Sequence, residues 1–271
     1  KWKIYQLSKR LKRKSIREIF ENHNGKTTLN YLMDLGFSND AIQFFFRPFF
    51  TGIFLETELN TPSSMFEFVF KMFSEGSAAI PANGIGEISK QLKNNLSNTD
   101  FHLNKRVGSI EGQTVLFEDG SKADFDYLIK TYPDKGQIKW KSCDNLYFEL
   151  GTSNFNSGLI GLIGEETTLS NNINIHQIGV KKILSVTVVK QHNLNTEELS
   201  KQVKAEINHH CGFEPGKLIH HYPIKRSLPA LEILKANESL DYFRIRKGLY
   251  QAGDYLLNSS LNAAMLSGER A

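Results

Sequence analysis

The sequence predicts an α/β fold, helices combined with a mixed sheet, on three observations. A helical stretch fills Thr27 to Glu75, short β-type runs occupy Phe101 to Thr131 and Asn145 to Val189, and a capped helix follows at Asn195. Segments of helix period alternating with segments of strand period are the mark of helices packed on sheets. With 271 residues the chain sits at the upper end of one domain or the lower end of two. Its 19 Phe and 9 Tyr readily build an apolar interior or an apolar substrate cavity. Two cysteines make no disulfide framework, no run is long enough to cross a bilayer and no secretory signal is seen, which points to a soluble protein of the reducing cytoplasm.

Residues 1–17 carry Lys1, Lys3, Lys9, Arg10, Lys12, Arg13, Lys14 and Arg17 with no acid, against +4 for the whole chain, so the rest is net −4. This run is read first as a solvated helix face. An anionic membrane surface is its alternative partner, and no other feature supports a nucleic acid. Leu29, Leu32, Met33 and Leu35 then form an apolar stripe that stops at Gly36. Asn39 or Asp40 caps a second helix through Phe44, Phe45 and Phe46, ended by Pro48. Ser64 and Glu67 have the spacing of a capping box for a third, which carries Phe66, Val69, Phe70 and Phe73.

A further helix is expected from Glu87 to Leu96. Strands follow at Phe101 to Ile110, Thr114 to Phe117, with a turn at Asp119-Gly120, and Phe125 to Thr131, where Tyr127, Leu128 and Ile129 are dense enough to be buried. Asn145–150, Leu159 to Ile163, Ile173 to Gly179 and Ile183 to Val189 are also strand-like. Asn195 and Glu198 cap a helix with Leu199, Val203 and Ile207 on one face, stopped at Gly212. The chain returns through Tyr222-Pro223-Ile224 and Leu228 to Leu231.

Several chemistries are set aside. Gly84-x-Gly86-x-x-Ser89 lacks the third glycine and a preceding central strand, and Gly158, Gly161 and Gly164 have the wrong spacing for a dinucleotide loop. Neither a Gly-x-Ser-x-Gly elbow, a His-Glu-x-x-His helix nor a Walker loop is present. His209, His210, Cys211, His220 and His221 invite a zinc reading. Adjacent histidines point in different directions, so at most three of the five meet easily, and the expected metal set is none. No acid–base pair stands out as catalytic; Arg47 and Lys71 are read as ion-pair residues.

The C-terminus carries the most informative pattern: Gly253-Asp254, then Ser259-Ser260-x-Asn262-Ala263-Ala264-x-x-Ser267-Gly268. On residue types alone this is a helix with a small-residue packing face whose first turn offers free N–H groups. In its order it resembles the closing FAD motif of the amine oxidase, protoporphyrinogen oxidase and phytoene desaturase superfamily. The segment Phe46 to Leu55 and the Pro81–Gly86 turn are similar to that family too. The resemblance runs from about Thr28 to the end.

It implies part of an FAD-binding Rossmann-like domain joined to a substrate domain of mixed sheet and helices. Residues 1–78 would be the helical part of the substrate domain and 79–133 an FAD-domain segment with its hairpin. Residues 134–222 would be the substrate-domain sheet and helix, and 223–271 the closing FAD-domain segment. The implied chemistry is hydride transfer from an apolar or amine substrate to FAD, with a non-catalytic lipophilic-ligand module as the rival reading. The implied cofactor residues are Val107, Gly253, Asp254, Ser260, Asn262 and Ala263; the implied cavity residues are Phe49, Phe50 and Phe54. The family's Gly-x-Gly-x-x-Gly loop is not in this sequence, so the chain is expected to be a fragment that holds FAD weakly or not at all. It would then associate with a separate N-terminal piece or form a homodimer through exposed sheet edges.

Overall fold

The structure, a computed structural model, describes residues 2–22, 24–150, 159–178 and 181–271; Lys1 of the basic run, Gly158 of the glycine series and Gly179 at a predicted strand end lie outside them. It opens with helices α1 (Trp2–Lys12), α2 (Ile16–Glu21) and α3 (Thr28–Asp34). Helix α3 ends as expected, with Gly36 in the left-handed region at φ +72°. The next helix starts at α4 (Asn39–Ala41), passes through a π-helical turn at Ile42–Phe46 and continues as α5 (Arg47–Phe54). Its cap is Ser38, whose side chain accepts from the Ala41 N–H, rather than the expected Asn39 or Asp40 that follow it.

Pro48 therefore does not end this helix. It has no N–H to give, and the π turn, where the Arg47 N–H reaches back to the Ile42 carbonyl, widens the ladder where the proline enters. Helix α6 (Ser63–Glu75) follows. Phe46, Phe50, Phe54 and Phe66 are fully enclosed and form the centre of the helical core with Leu11, Phe20 and Leu32. Their ring centroids lie 4.8 Å (Phe50–Phe66) to 6.5 Å (Phe46–Phe50) apart.

The expected Ser64–Glu67 capping box is not formed, because α6 begins two residues earlier, behind Pro62, with no side-chain cap. Glu67 is instead buried. It accepts the Tyr31 hydroxyl and pairs with Lys14 at 2.8 Å and Arg10 at 3.5 Å. Lys71, also buried, donates to the Leu11 and Lys12 carbonyls at the end of α1 and pairs with Glu75 at 2.5 Å. Part of the basic run thus anchors α1 on the core, since a buried carboxylate needs charged partners. Lys9, Lys12, Arg13 and Arg17 remain exposed.

After α7 (Gly86–Asn94) comes a meander of β1 (Val107–Glu111), β2 (Thr114–Phe117) and β3 (Lys122–Asp124), with Gly120 at φ +83° in the second turn. The first strand starts at Val107, not Phe101. Strand β4 (Leu128–Lys130) leaves the meander and pairs in parallel with β11 (Leu249–Gln251), which pairs on its other side with β10 (Arg244–Arg246). As an outer strand of this sheet β4 is uncovered, so Tyr127 is 75% and Ile129 45% exposed, against the expected burial.

The larger sheet is five-stranded and antiparallel, in the order β6 (Ile160–Leu162), β7 (Ser170–Ile178), β8 (Lys181–Val188), β5 (Trp140–Glu149), β9 (Leu218–Pro229). Alternate residues Leu146, Phe148, Ile173, Ile175, Leu184 and Val186 meet Leu199, Val203 and Ile207 of α8 (Thr196–Cys211). That helix has its capping box at Asn195 and Glu198 and ends at Gly212, φ +70°. The returning segment Tyr222 to Pro229 is a strand. It tolerates Pro223 and Pro229 because β9 lies at the sheet edge. The chain closes with α9 (Leu240–Phe243), a 3₁₀ turn Asp254–Leu256 and α10 (Leu261–Arg270).

Candidate functional site

The Gly253 turn is built around one backbone angle. Gly253 stands at φ +149°, ψ 157°, a region open only to glycine, and a Cβ there would lie 2.4 Å from Tyr255 Cε1. Its N–H donates to Ser267 Oγ at 2.8 Å, and Ser267 Oγ donates to the Ala264 carbonyl at 2.8 Å. The small residues of α10 thus serve first as a packing face. Ala263 is enclosed with Phe243, Tyr255, Leu256 and Leu257, and its N–H is taken by Ser260 Oγ at 3.1 Å. Ser260 donates to Asn258 Oδ1 at 2.6 Å, and Asn258 Nδ2 donates to the Lys235 carbonyl at 2.8 Å.

Of the six residues expected at a cofactor, five lie in this turn and helix start. Val107 lies apart in sequence, on a strand that pairs with β2 in a different sheet from β11. Ser260 and Ala263 are spent on the cap and the core. Asn262 and Leu261 are exposed at the mouth of α10, where the Leu261 and Asn262 amides have no bond within the helix. Asp254 is half-buried, and burial pushes its carboxyl above the usual range although the Tyr255 N–H bonds to it. Burial together with the negative charges of Asp134 and Asp254 pushes the Tyr255 phenol up to about 12. These groups fit the ring and ribityl end of a flavin, which takes amide N–H donors and a carboxylate acceptor; the Gly-rich loop for its pyrophosphate is not among the 271 residues.

Beside this turn lies a largely apolar cavity of about 170 Å³, lined by Ile53, Phe54, Met65, Phe68, Val69 and Leu228, with Thr61, Lys141, Ser259 and Ser260 as its polar lining. Of the three phenylalanines expected in a cavity, Phe54 lines it. Phe50, 1% exposed, belongs to the solid core, because its position on α5 points at Phe66. Phe49 packs between Phe45 and Phe73. Sequence periodicity missed Met65, Phe68 and Leu228, which look like ordinary core residues until the turn is placed beside them.

A second cavity, about 400 Å³, adjoins the first through Thr61, Lys141, Leu231 and Leu234 and carries Lys26, Lys139 and Glu56. Lys141 pairs with Glu56 at 3.1 Å and donates to Thr61 Oγ1 at 2.8 Å. Arg47 donates to the Thr57 carbonyl and stands 3.6 Å from Glu58, in line with its ion-pair reading. Gly52 lets α5 approach β7, since a Cβ there would meet Asn172 Oδ1 at 2.9 Å. His221 of the histidine series turns to Asp144 at 2.5 Å and accepts at Nδ1 from, or donates to, Thr196 Oγ1 at 2.9 Å.

Residues 3–134 match the family of flavin containing amine oxidoreductases, which bears out the expected resemblance over that stretch. A search of the curated proteins gives no match. Among solved structures, the chain is similar in fold to the CLA-producing fatty acid isomerase from P. acnes, with a TM-score of 0.68 at 13% identity, covering 97% of this chain and 72% of that one. A Diels-Alderase of the pyrroindomycin pathway is more distant, at a TM-score of 0.37 and 11% identity over 78% of this chain and 43% of that one. Among the described residues no helix is long and apolar enough to cross a membrane.

Proposed function

Taking residues 3–134 as a stretch of the flavin containing amine oxidoreductase family, we propose that this protein works as an FAD-dependent oxidoreductase on an apolar substrate. The observation that carries the reading is the largely apolar cavity that Ser259 and Ser260 help to line, directly before the start of α10. FAD, when bound, accepts a hydride from carbon. The chain's own part is to hold the substrate and keep water out: Phe54, Met65, Phe68 and Val69 supply the dry wall. Gly253 sets the turn, Asp254 would offer a half-buried carboxylate to hydroxyls of the cofactor, and the Leu261 and Asn262 amides would supply N–H donors to it.

An apolar substrate is favoured over an amine. The adjoining cavity is lined by three lysines, Lys26, Lys139 and Lys141, against two carboxylates, Glu56, which is paired with Lys141, and the exposed Glu232, so its balance of charge favours an anion over an ammonium. An apolar chain with an acidic head, of the kind named for the fatty acid isomerase of similar fold, suits the two together. The pyrophosphate end of FAD would be held by a polypeptide segment beyond these residues, added to the open edge of β4. Parallel strands are ordinarily covered and flanked, and Tyr127 and Ile129 await such cover.

The test uses the protein at the full length its gene encodes. Anaerobic addition of long-chain unsaturated acids and of amines should bleach the visible flavin band with the acids alone. Bleaching by amines alone would overturn the substrate reading, and a colourless protein that still binds apolar ligands would make it a lipophilic-ligand module.

A further inference from the structure

Far from the flavin-type turn, the histidine series finds a partner that its spacing does not show. His209 and His210 end α8, and across from them stands Glu165 in the loop between β6 and β7. One donor atom from each of the three lies within 4.8 Å of the others, with His210 Nε2 3.3 Å from Glu165 Oε2. Two ligands held at 2.0–2.1 Å by a tetrahedral zinc ion are separated by about 3.3–3.4 Å, so this pair already stands at one edge of such a site.

We propose that Glu165, His209 and His210 bind a divalent transition metal of the zinc class, with the fourth position left to water. The ligands are pre-arranged. Lys190 donates to the carbonyls of Glu165 at 3.3 Å, Glu166 at 2.6 Å and Thr168 at 2.5 Å, and Glu206 of α8 accepts from the Leu169 and Ser170 N–H groups at 2.9 and 2.8 Å. The loop is thus tied to the helix independently of any ion. Thr167 Oγ1 donates to the other Glu165 oxygen at 3.0 Å, the outer contact that fixes a ligating carboxylate. The end of the α8 dipole favours a cation there. Cys211 packs towards the sheet core, and His220 sits on β9, so neither takes part. The ion would fasten edge strand β6 to α8, and the proposal stands or falls apart from the flavin reading.

Metal-stripped, tag-free protein titrated calorimetrically with Zn²⁺ should bind one ion per chain, and Co²⁺ should give the visible absorption of a four-coordinate site. His209→Ala, His210→Ala and Glu165→Gln, all exposed and so compatible with folding, should each weaken binding by ~100-fold or more, and Thr167→Val by ~10-fold. His220→Ala should change nothing. Absence of stoichiometric binding, or binding unmoved by His209→Ala and His210→Ala together, would overturn the site.

Discussion

Gly253→Ala isolates the backbone geometry on which the C-terminal turn depends. At φ +149°, ψ 157° an alanine is strained by about 1–3 kcal/mol. Its Cβ would fall 2.4 Å from Tyr255 Cε1 and 2.6 Å from Cδ1. Tyr255 is buried among Phe243, Leu256 and Leu257 and cannot swing aside freely, so the overlap adds about 1–3 kcal/mol of overpacking. A loss of about 2–6 kcal/mol follows, a large part of the roughly 5–15 kcal/mol of a folded protein. Urea unfolding followed by circular dichroism measures it, with limited proteolysis to show whether residues 253–271 open first. In a double-mutant cycle Tyr255→Ala should recover the overlap share and leave the backbone share. A Gly253→Ala loss under about 0.5 kcal/mol would refute the reasoning.

Asp254→Asn should remove a penalty. Burial raises the folded pKa of Asp254, so its charge is disfavoured by folding; the wild-type protein loses stability as pH rises from 3.8 through the raised folded value, and the variant, melted across the same range without cofactor, should not. In flavin-bound protein the same change should lower FAD retention. Glu67→Gln keeps an acceptor for Tyr31 but strands Lys14 and Arg10; with both cations partly exposed, the expected loss is about 1–3 kcal/mol by chemical denaturation. Phe54→Ala should cost about 3–5 kcal/mol and enlarge the cavity, while Phe44→Ala, on an exposed side chain, should stay within about 0.5 kcal/mol.

What the sequence revealed was local. Asn195 with Glu198, the Leu199–Val203–Ile207 face and the turns at Gly36, Gly120 and Gly212 depend on residues within a few positions of each other, and the structure forms them all. What it hid depends on distant partners. Pro48 reads as a helix end because the π turn that accommodates it has no residue signature. Tyr127 and Ile129 read as buried because apolar density cannot distinguish an outer strand from a central one. Glu67 reads as a capping residue, yet its partners Tyr31, Lys14 and Arg10 come from two other helices and the connection between them. At the site, the Gly253 turn and the α10 start were visible as a motif, while the inward use of Ser260 and Ala263 and the cavity wall of Met65, Phe68 and Leu228 arise only from packing.

The flavin content of the protein, purified at the full length its gene encodes and released by denaturation, tests the central claim most directly. Close to one FAD per chain, falling markedly in Asp254→Ala with the fold retained, is the predicted result. Full-length protein without flavin, and without affinity for added FAD, would contradict it.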